Sequence, residues 1–315
     1  MTRTYPRKDG PSPAARITAE IVSRLEAGTR PWVRPWRGAH VSRPLRCCGT
    51  PYRGMNVFWL WMVADMAGYT SPYWMTYAQA NSNGGQVRKG EKSAIAIFYK
   101  SYTKDIESPE TGESSEQARR VLKAYAVFNA DQVDGLPSHF YPAAALELVE
   151  PAGRNDELDR FFAAIPATLR HQGDSAYYEP GPDRVTMPPG EVFAGFDHYY
   201  ATLAHELSHW TGHPSRLARD LKNRFGSAAY AAEELVAELS SAMLGAELGL
   251  PVAHLDSHAS YIDHWLQLLR EDDRAILTAA ARAEEASEFL LRLGRGESEI
   301  AGDVGEERAA SALAA

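Results

Sequence analysis

Cysteine is almost absent from this 315-residue chain, which has two, Cys47 and Cys48, side by side. Neighbouring cysteines cannot staple distant segments together, so a disulfide framework is excluded and a reducing compartment is expected. Long apolar runs are missing as well. No stretch approaches the ~20 residues of a membrane helix, and the opening Met1-Thr2-Arg3-Thr4-Tyr5-Pro6-Arg7-Lys8 leads into no hydrophobic signal core. The expectation is a cytoplasmic protein with no membrane partner. There is no internal repeat. With 44% hydrophobic and 23% charged residues the chain is not disordered throughout, and its length exceeds what one core usually fills, so two domains are expected.

Acidic residues are scarce in one region only. Residues 1–100 carry 15 Lys and Arg against 5 Asp and Glu, whereas the remainder carries 18 against 36, so the net charge of −8 hides a basic first part. Five of the seven tryptophans lie in that basic part. In Arg30-Pro31-Trp32-Val33-Arg34-Pro35-Trp36-Arg37 the prolines hold the chain extended and alternate cations with flat rings. Tyr52-Arg53-Gly54 and the glycine-rich run containing Arg88, Lys89 and Lys92 add further cations. Basic groups with aromatics available for stacking are what a single-stranded nucleic acid requires. The candidate contacts are therefore Trp32, Arg34, Trp36, Arg37, Tyr52, Arg53, Arg88, Lys89 and Lys92. Trp59 and Trp61 fall in the apolar run 55–63 and read as core of a buried helix.

The clearest chemistry lies in Leu203-Ala204-His205-Glu206-Leu207-Ser208-His209-Trp210. Histidines four apart stack on one face of a helix, where both rings reach one Zn²⁺ while Glu206 leans toward its water. This is the HExxH arrangement of a zinc hydrolase. Tyr200, Leu203, Leu207 and Trp210 recur at helical spacing on roughly the opposite side, with Asp197 as candidate N-cap and Gly212 as stop.

A catalytic zinc needs a third protein ligand. Ser215 stands where the longer HExxHxxGxxH pattern needs histidine, so that pattern fails. Downstream, 228–244 reads as one long helix in which Leu235, Leu239 and Met243 form the buried stripe. Glu234 and Glu238 share another face at i, i+4, where like charges repel unless a cation sits between them. Glu234 is the candidate third ligand and Glu238 the acceptor of a ligating histidine's second N–H. Glu233, Glu238 and His213 are the alternatives for that third position. The ExxAE spacing looks like the ExxAD helix of gluzincin peptidases. Metal-assisted hydrolysis follows, with Glu206 as catalytic base and Tyr230 or His258 as candidate oxyanion donors. Zinc is the expected metal; manganese or nickel can fill such a site.

Periodicity also predicts helices over 17–27 and 71–80, strands over 93–99 and 123–129, and a solvated loop over 105–117. Pro151-Ala152-Gly153-Arg154-Asn155 reads as a linker, 176–178 and 184–187 as a strand pair, with two more helices after Pro251 and a frayed tail from 294 to 315.

Taken together these residues resemble the ArdC-type antirestriction proteins of conjugative plasmids and related mobile elements. The resemblance lies in Pro31-Trp32-Val33-Arg34-Pro35-Trp36, Tyr52-Arg53-Gly54-Met55-Asn56-Val57, Gly85 to Glu91, Val127 to Gln132, Met187-Pro188-Pro189, His205 to His213, Glu233 to Glu238 and Tyr261 to Trp265. It covers nearly the whole chain, with Cys47-Cys48 as a departure. It implies an α+β protein of two domains: a small basic α+β domain binding single-stranded DNA (1–136), and a mainly helical zincin-like metallopeptidase domain (156–293) beyond a linker (137–155), with a flexible tail (294–315). It further implies protection of incoming DNA from host restriction during conjugation. Two other readings stay open: a non-proteolytic DNA-coating protein with a structural metal, and a peptidase acting on a host protein without binding DNA.

Overall fold

The computed structural model describes residues 10–27, 42–107, 114–142, 153–219, 228–250 and 262–297. The first helix, α1 (Pro13–Glu26), starts where Ser12 accepts a hydrogen bond from the Ala15 amide at 3.0 Å and proline takes the first turn. Its Ala14, Ile17, Ile21 and Leu25 all face inward.

A four-stranded sheet follows, in the order β1 (Leu45–Arg46), β2 (Tyr73–Met75), β5 (Ser114–Asn129), β4 (Ala94–Glu107). The β1–β2 pair is parallel and the others antiparallel. Helix α2 (Met55–Ala67) docks on this sheet through Asn56, whose amide donates to the Ile97 carbonyl at 2.7 Å and accepts from its N–H at 2.8 Å. Satisfying both main-chain groups with one buried side chain fixes the depth of the helix. A short helix α3 (Tyr77–Ser82) and the pair β3 (Gln86–Val87) with β6 (Val133–Asp134) complete this half.

Three expectations change here. Residues 73–75 are a strand, because Tyr-Trp-Met suits a half-buried sheet, and the helix starts later, where Thr76 and Gln79 form a capping box. Within the predicted loop 105–117, residues 105–107 and 114–117 are strand, belonging to β4 and β5 and paired as far as Glu107 with Ser114. Phe140 is buried against Met75 and Val133, so the first packed unit runs past residue 136.

The second half begins at α4 (Asp156–Ala163), capped by Asn155, the last residue of the predicted linker. A three-stranded sheet, β7 (Thr168–His171), β9 (Arg184–Met187) and β8 (Tyr177–Glu179), places β9 centrally with β8 antiparallel beside it. β7 is exposed at all four residues and carries no alternation, so no pattern marks it in advance. Among the described residues four helices follow: α5 (Phe196–Thr211), α6 (Ala228–Leu248), α7 (Ile262–Glu271) and α8 (Ala275–Gly294). Gly195, not Asp197, caps α5; Asp197 sits in its first turn, where a carboxylate favours the helix dipole.

The two halves are not separate cores. Ile17, Ile21 and Leu25 of α1 and Phe58 and Trp61 of α2 belong to one buried cluster with Leu235 and Leu239 of α6, Trp265 of α7 and Ile276 of α8. Burying each such side chain contributes about 1.5–3 kcal/mol. Arg43, 7% exposed, extends this junction by pairing with Glu284 at 2.6 Å and Glu247 at 2.9 Å. No helix among the described residues is long and apolar enough to cross a membrane.

Candidate metal centre

Helix α5 is buried on most of its surface. Tyr200, Leu203, Leu207 and Trp210 fill the core below it, and His205 and Glu206 are themselves only 3% and 8% exposed. Buried imidazoles need partners, and α6 supplies them. Leu235, Leu239 and Met243 anchor α6 in the shared core, which turns Glu233, Glu234 and Glu238 toward α5.

The Nε2 atoms of His205 and His209 lie 3.2 Å apart. Glu234 Oε2 stands 3.7 Å from the first, and Glu234 Oε1 stands 3.6 Å from the second. Donors bound at about 2.0–2.2 Å to one tetrahedral ion are separated by roughly 3.3–3.6 Å. Among the described residues, His205, His209 and Glu234 form the group whose donor atoms converge within 4.8 Å of one another. Two imidazole nitrogens and a carboxylate are also the donor types that a divalent transition metal prefers, so these residues fit such an ion.

Each ring is backed by a second carboxylate. Glu238 lies 3.8 Å from His205 Nδ1, and Glu233 lies 3.3 Å from His209 Nδ1. Glu233 is in turn held by Arg219, from Nε at 2.9 Å and Nη2 at 2.8 Å. His213 faces elsewhere, with Nδ1 2.7 Å from the Ser215 hydroxyl. Tyr230 donates its hydroxyl to Glu234 and so sits on that carboxylate; His258 lies outside the described residues.

The electrostatics follow from burial and crowding. Burial pushes the Glu206 carboxyl up, against the pull of His205 and His209, and the Glu234 charge adds to the rise. The backbone of Tyr178, on the edge strand β8, pulls the carboxyl slightly the other way. Burial alone would lift Glu234 too, but its bond to His205 and the two nearby rings hold it down at about 2. Burial favours neutral His209, yet Glu233, Glu234 and Glu206 outweigh it and raise the metal-free ring to about 9.

The candidate DNA contacts divide. Trp32, Arg34, Trp36 and Arg37 lie outside the described residues. Tyr52 corrects an expectation: at 1% exposed it packs against Trp74 and Leu60, and a ring inside the core presents no face to a base. Arg53 is 59% exposed but engaged with Glu288 and Glu284 of α8. Arg88 is paired with Glu91 at 2.9 Å and Asp134 at 3.3 Å, while Lys89 and Lys92 are exposed. Arg88 and Lys89 share an open groove of 600 Å³ with Phe128 and with Tyr77, whose half-exposed ring the sequence reasoning passed over.

Fold and site together define a two-domain protein in which a mixed helix-and-sheet half is joined to a mainly helical zincin-like domain. The model of the N-terminal domain of the anti-restriction factor ArdC matches residues 12–128, and a zincin-like metallopeptidase model matches residues 156–282. A protein of Sinorhizobium fredii (strain NBRC 101917 / NGR234), the uncharacterized protein y4eC, is 40% identical over 281 residues, covering 87% of this chain and 90% of that one. An Escherichia coli DNA primase TraC is 39% identical over 297 residues, which span 88% of this chain but 27% of the primase. The antirestriction protein ArdC from plasmid R388 superimposes in its metal-free form with a TM-score of 0.79 at 41% identity, covering 92% of this chain and all of that one. Its Mn(II)-bound form gives a TM-score of 0.74 at 42% identity, over 90% and 98% of the two chains. The chain belongs to the ArdC antirestriction family.

Proposed function

We propose that this protein binds single-stranded DNA through its basic N-terminal half and hydrolyses peptide bonds at a divalent-metal site, so protecting incoming DNA from host restriction. The observation that carries the hydrolytic reading is the convergence of His205, His209 and Glu234 beside a buried Glu206. His205, His209 and Glu234 would hold the ion. When bound, it supplies Lewis acidity toward a water and toward a carbonyl oxygen. Glu206 takes the water's proton and passes it to the leaving amine, a role suited to a carboxyl whose proton affinity burial has raised. Glu234 stays ionised, and Glu233 and Glu238 orient the two rings. Zinc suits the donor set, and the Mn(II)-bound relative supports manganese as an alternative.

The DNA reading rests on the charge division of the chain, on exposed Lys89 and Lys92, and on the relatives named for antirestriction and DNA priming. The groove beside Tyr77 offers a ring for a base. The site of action is the cytoplasm, where restriction enzymes meet entering DNA.

Glu206→Gln tests the account. The variant should still bind Mn(II), because Glu206 is not a ligand, and should still shift a labelled single strand. It should fail to protect unmodified plasmid DNA in a restricting recipient. Full protection by the variant would show that hydrolysis is not the protective step and leave the strand-coating reading in its place.

A further inference from the structure

Arg219 lies outside every motif discussed so far, six residues beyond His213 in the segment that leaves α5, yet its side chain is only 6% exposed. A buried guanidinium is retained where its donors have fixed tasks. Here they have four acceptors. Nη1 donates to the Thr211 hydroxyl at 2.8 Å and Nη2 to the Ser208 carbonyl at 2.7 Å, both on α5. Nε and Nη2 together grip both oxygens of Glu233 on α6. One oxygen of that same carboxylate lies 3.3 Å from His209 Nδ1, and the opposite nitrogen of the ring points at His205 and Glu234.

The arrangement solves a problem of crowding. Glu206, Glu233, Glu234 and Glu238 surround two imidazoles, and Glu233 adjoins Glu234 in sequence. A loosely held Glu233 is a fourth carboxylate competing for the ion. With both oxygens on the guanidinium fork it is turned to the far side of the His209 ring, where it accepts the Nδ1 proton and fixes the tautomer that leaves Nε2 bare. Arg219 also spans α5 and α6, so it sets the separation of the helices that carry the converging donors.

We propose that Arg219 is a positioning residue of the metal centre, clamping Glu233 so that this carboxylate orients His209 and does not bind the ion itself. The inference rests on the reading that His205, His209 and Glu234 hold the metal.

Mn(II) titration of the full-length metal-free protein, read by the electron paramagnetic resonance of the free ion, tests it on four variants. His205→Ala should abolish binding; if it does not, the ligand assignment itself is wrong. With that control in place, Arg219→Gln and Glu233→Gln should each weaken Mn(II) about 10–100-fold, the usual cost of losing a partner that orients a ligand. The double variant should be no weaker than the worse single one, because the two residues act as one unit. In Co(II)-loaded protein, Arg219→Gln should lower the visible absorption as released Glu233 adds to the coordination, and Glu233→Gln in that background should restore it. A structural role alone would move the melting temperature and leave these readings in place. Affinity within twofold of wild type in both folded single variants overturns the proposal. Should Arg219→Gln fail to fold, wild-type affinity and spectrum in Glu233→Gln overturn it equally.

Discussion

At the scale of single residues, the site is a balance between burial and charge. His209 is lifted to about 9 in the metal-free protein, because surrounding carboxylates outweigh burial. A raised folded-state value stabilises fully below the ordinary histidine value of about 6.5 and is lost as pH climbs through about 9. The metal-free protein should therefore melt at a lower temperature at pH 9.5 than at pH 7. Glu234 works in the opposite sense: held at about 2, it contributes above its ordinary value near 4.5 and loses that contribution as pH falls toward 2. Protons also compete with the ion for His209, so Mn(II) affinity should rise from pH 7 to pH 9. Calorimetric melts and Mn(II) titrations across that range check both signs; a flat metal-free melt would contradict the charge crowding described here.

The same scale shows what was legible in advance. The histidine spacing and the i, i+4 pair Glu234 and Glu238 were readable because helical geometry converts sequence offset into direction. Arg219 was not readable, because an arginine in a connecting segment has no periodicity to mark it. Tyr52 misled for the related reason that a ring beside an arginine looks the same in a string whether it faces solvent or Trp74.

At the scale of elements, helices were more legible than strands. The stripe of Leu235, Leu239 and Met243 declared α6, whereas β7 is a short exposed edge with no alternation and takes its form from pairing with β9. Helix ends were set by caps that lie outside the apolar pattern, as Thr76 and Gly195 show. The end of α8 offers a test. Gly294 lies so close to the Phe161 ring of α4 that an added Cβ would stand 2.3 Å from it. Gly294→Ala should destabilise by about 1–3 kcal/mol through overpacking, and Phe161→Leu in that background should recover part of the loss. Denaturant unfolding of the three proteins measures it; an unchanged midpoint for Gly294→Ala would mean that α4 does not bear on α8 as described.

At the scale of the whole molecule, the two matched family models meet in one core. Their division at residues 12–128 and 156–282 follows sequence relationship, while the packing of α1 and α2 against α6, α7 and α8 runs across it. No periodicity in a single segment reveals such a junction, because an amphipathic helix does not say which half it faces. The protein should accordingly unfold in a single calorimetric transition, and residues 1–136 alone should show no cooperative melt. Arg43→Ala should cost about 1–3 kcal/mol, because the buried Glu284 carboxylate then keeps only the Gly54 N–H and the exposed Arg53 across the junction. Two separated transitions in the intact chain would show that the halves are thermodynamically independent.

The most direct test of the central claim is an anomalous-diffraction map from crystals of the full chain soaked in Mn(II) or Zn(II). One peak within about 2.0–2.3 Å of His205 Nε2, His209 Nε2 and a Glu234 oxygen is the result expected. A peak bound by other side chains, or saturating metal with no peak between α5 and α6, would contradict it.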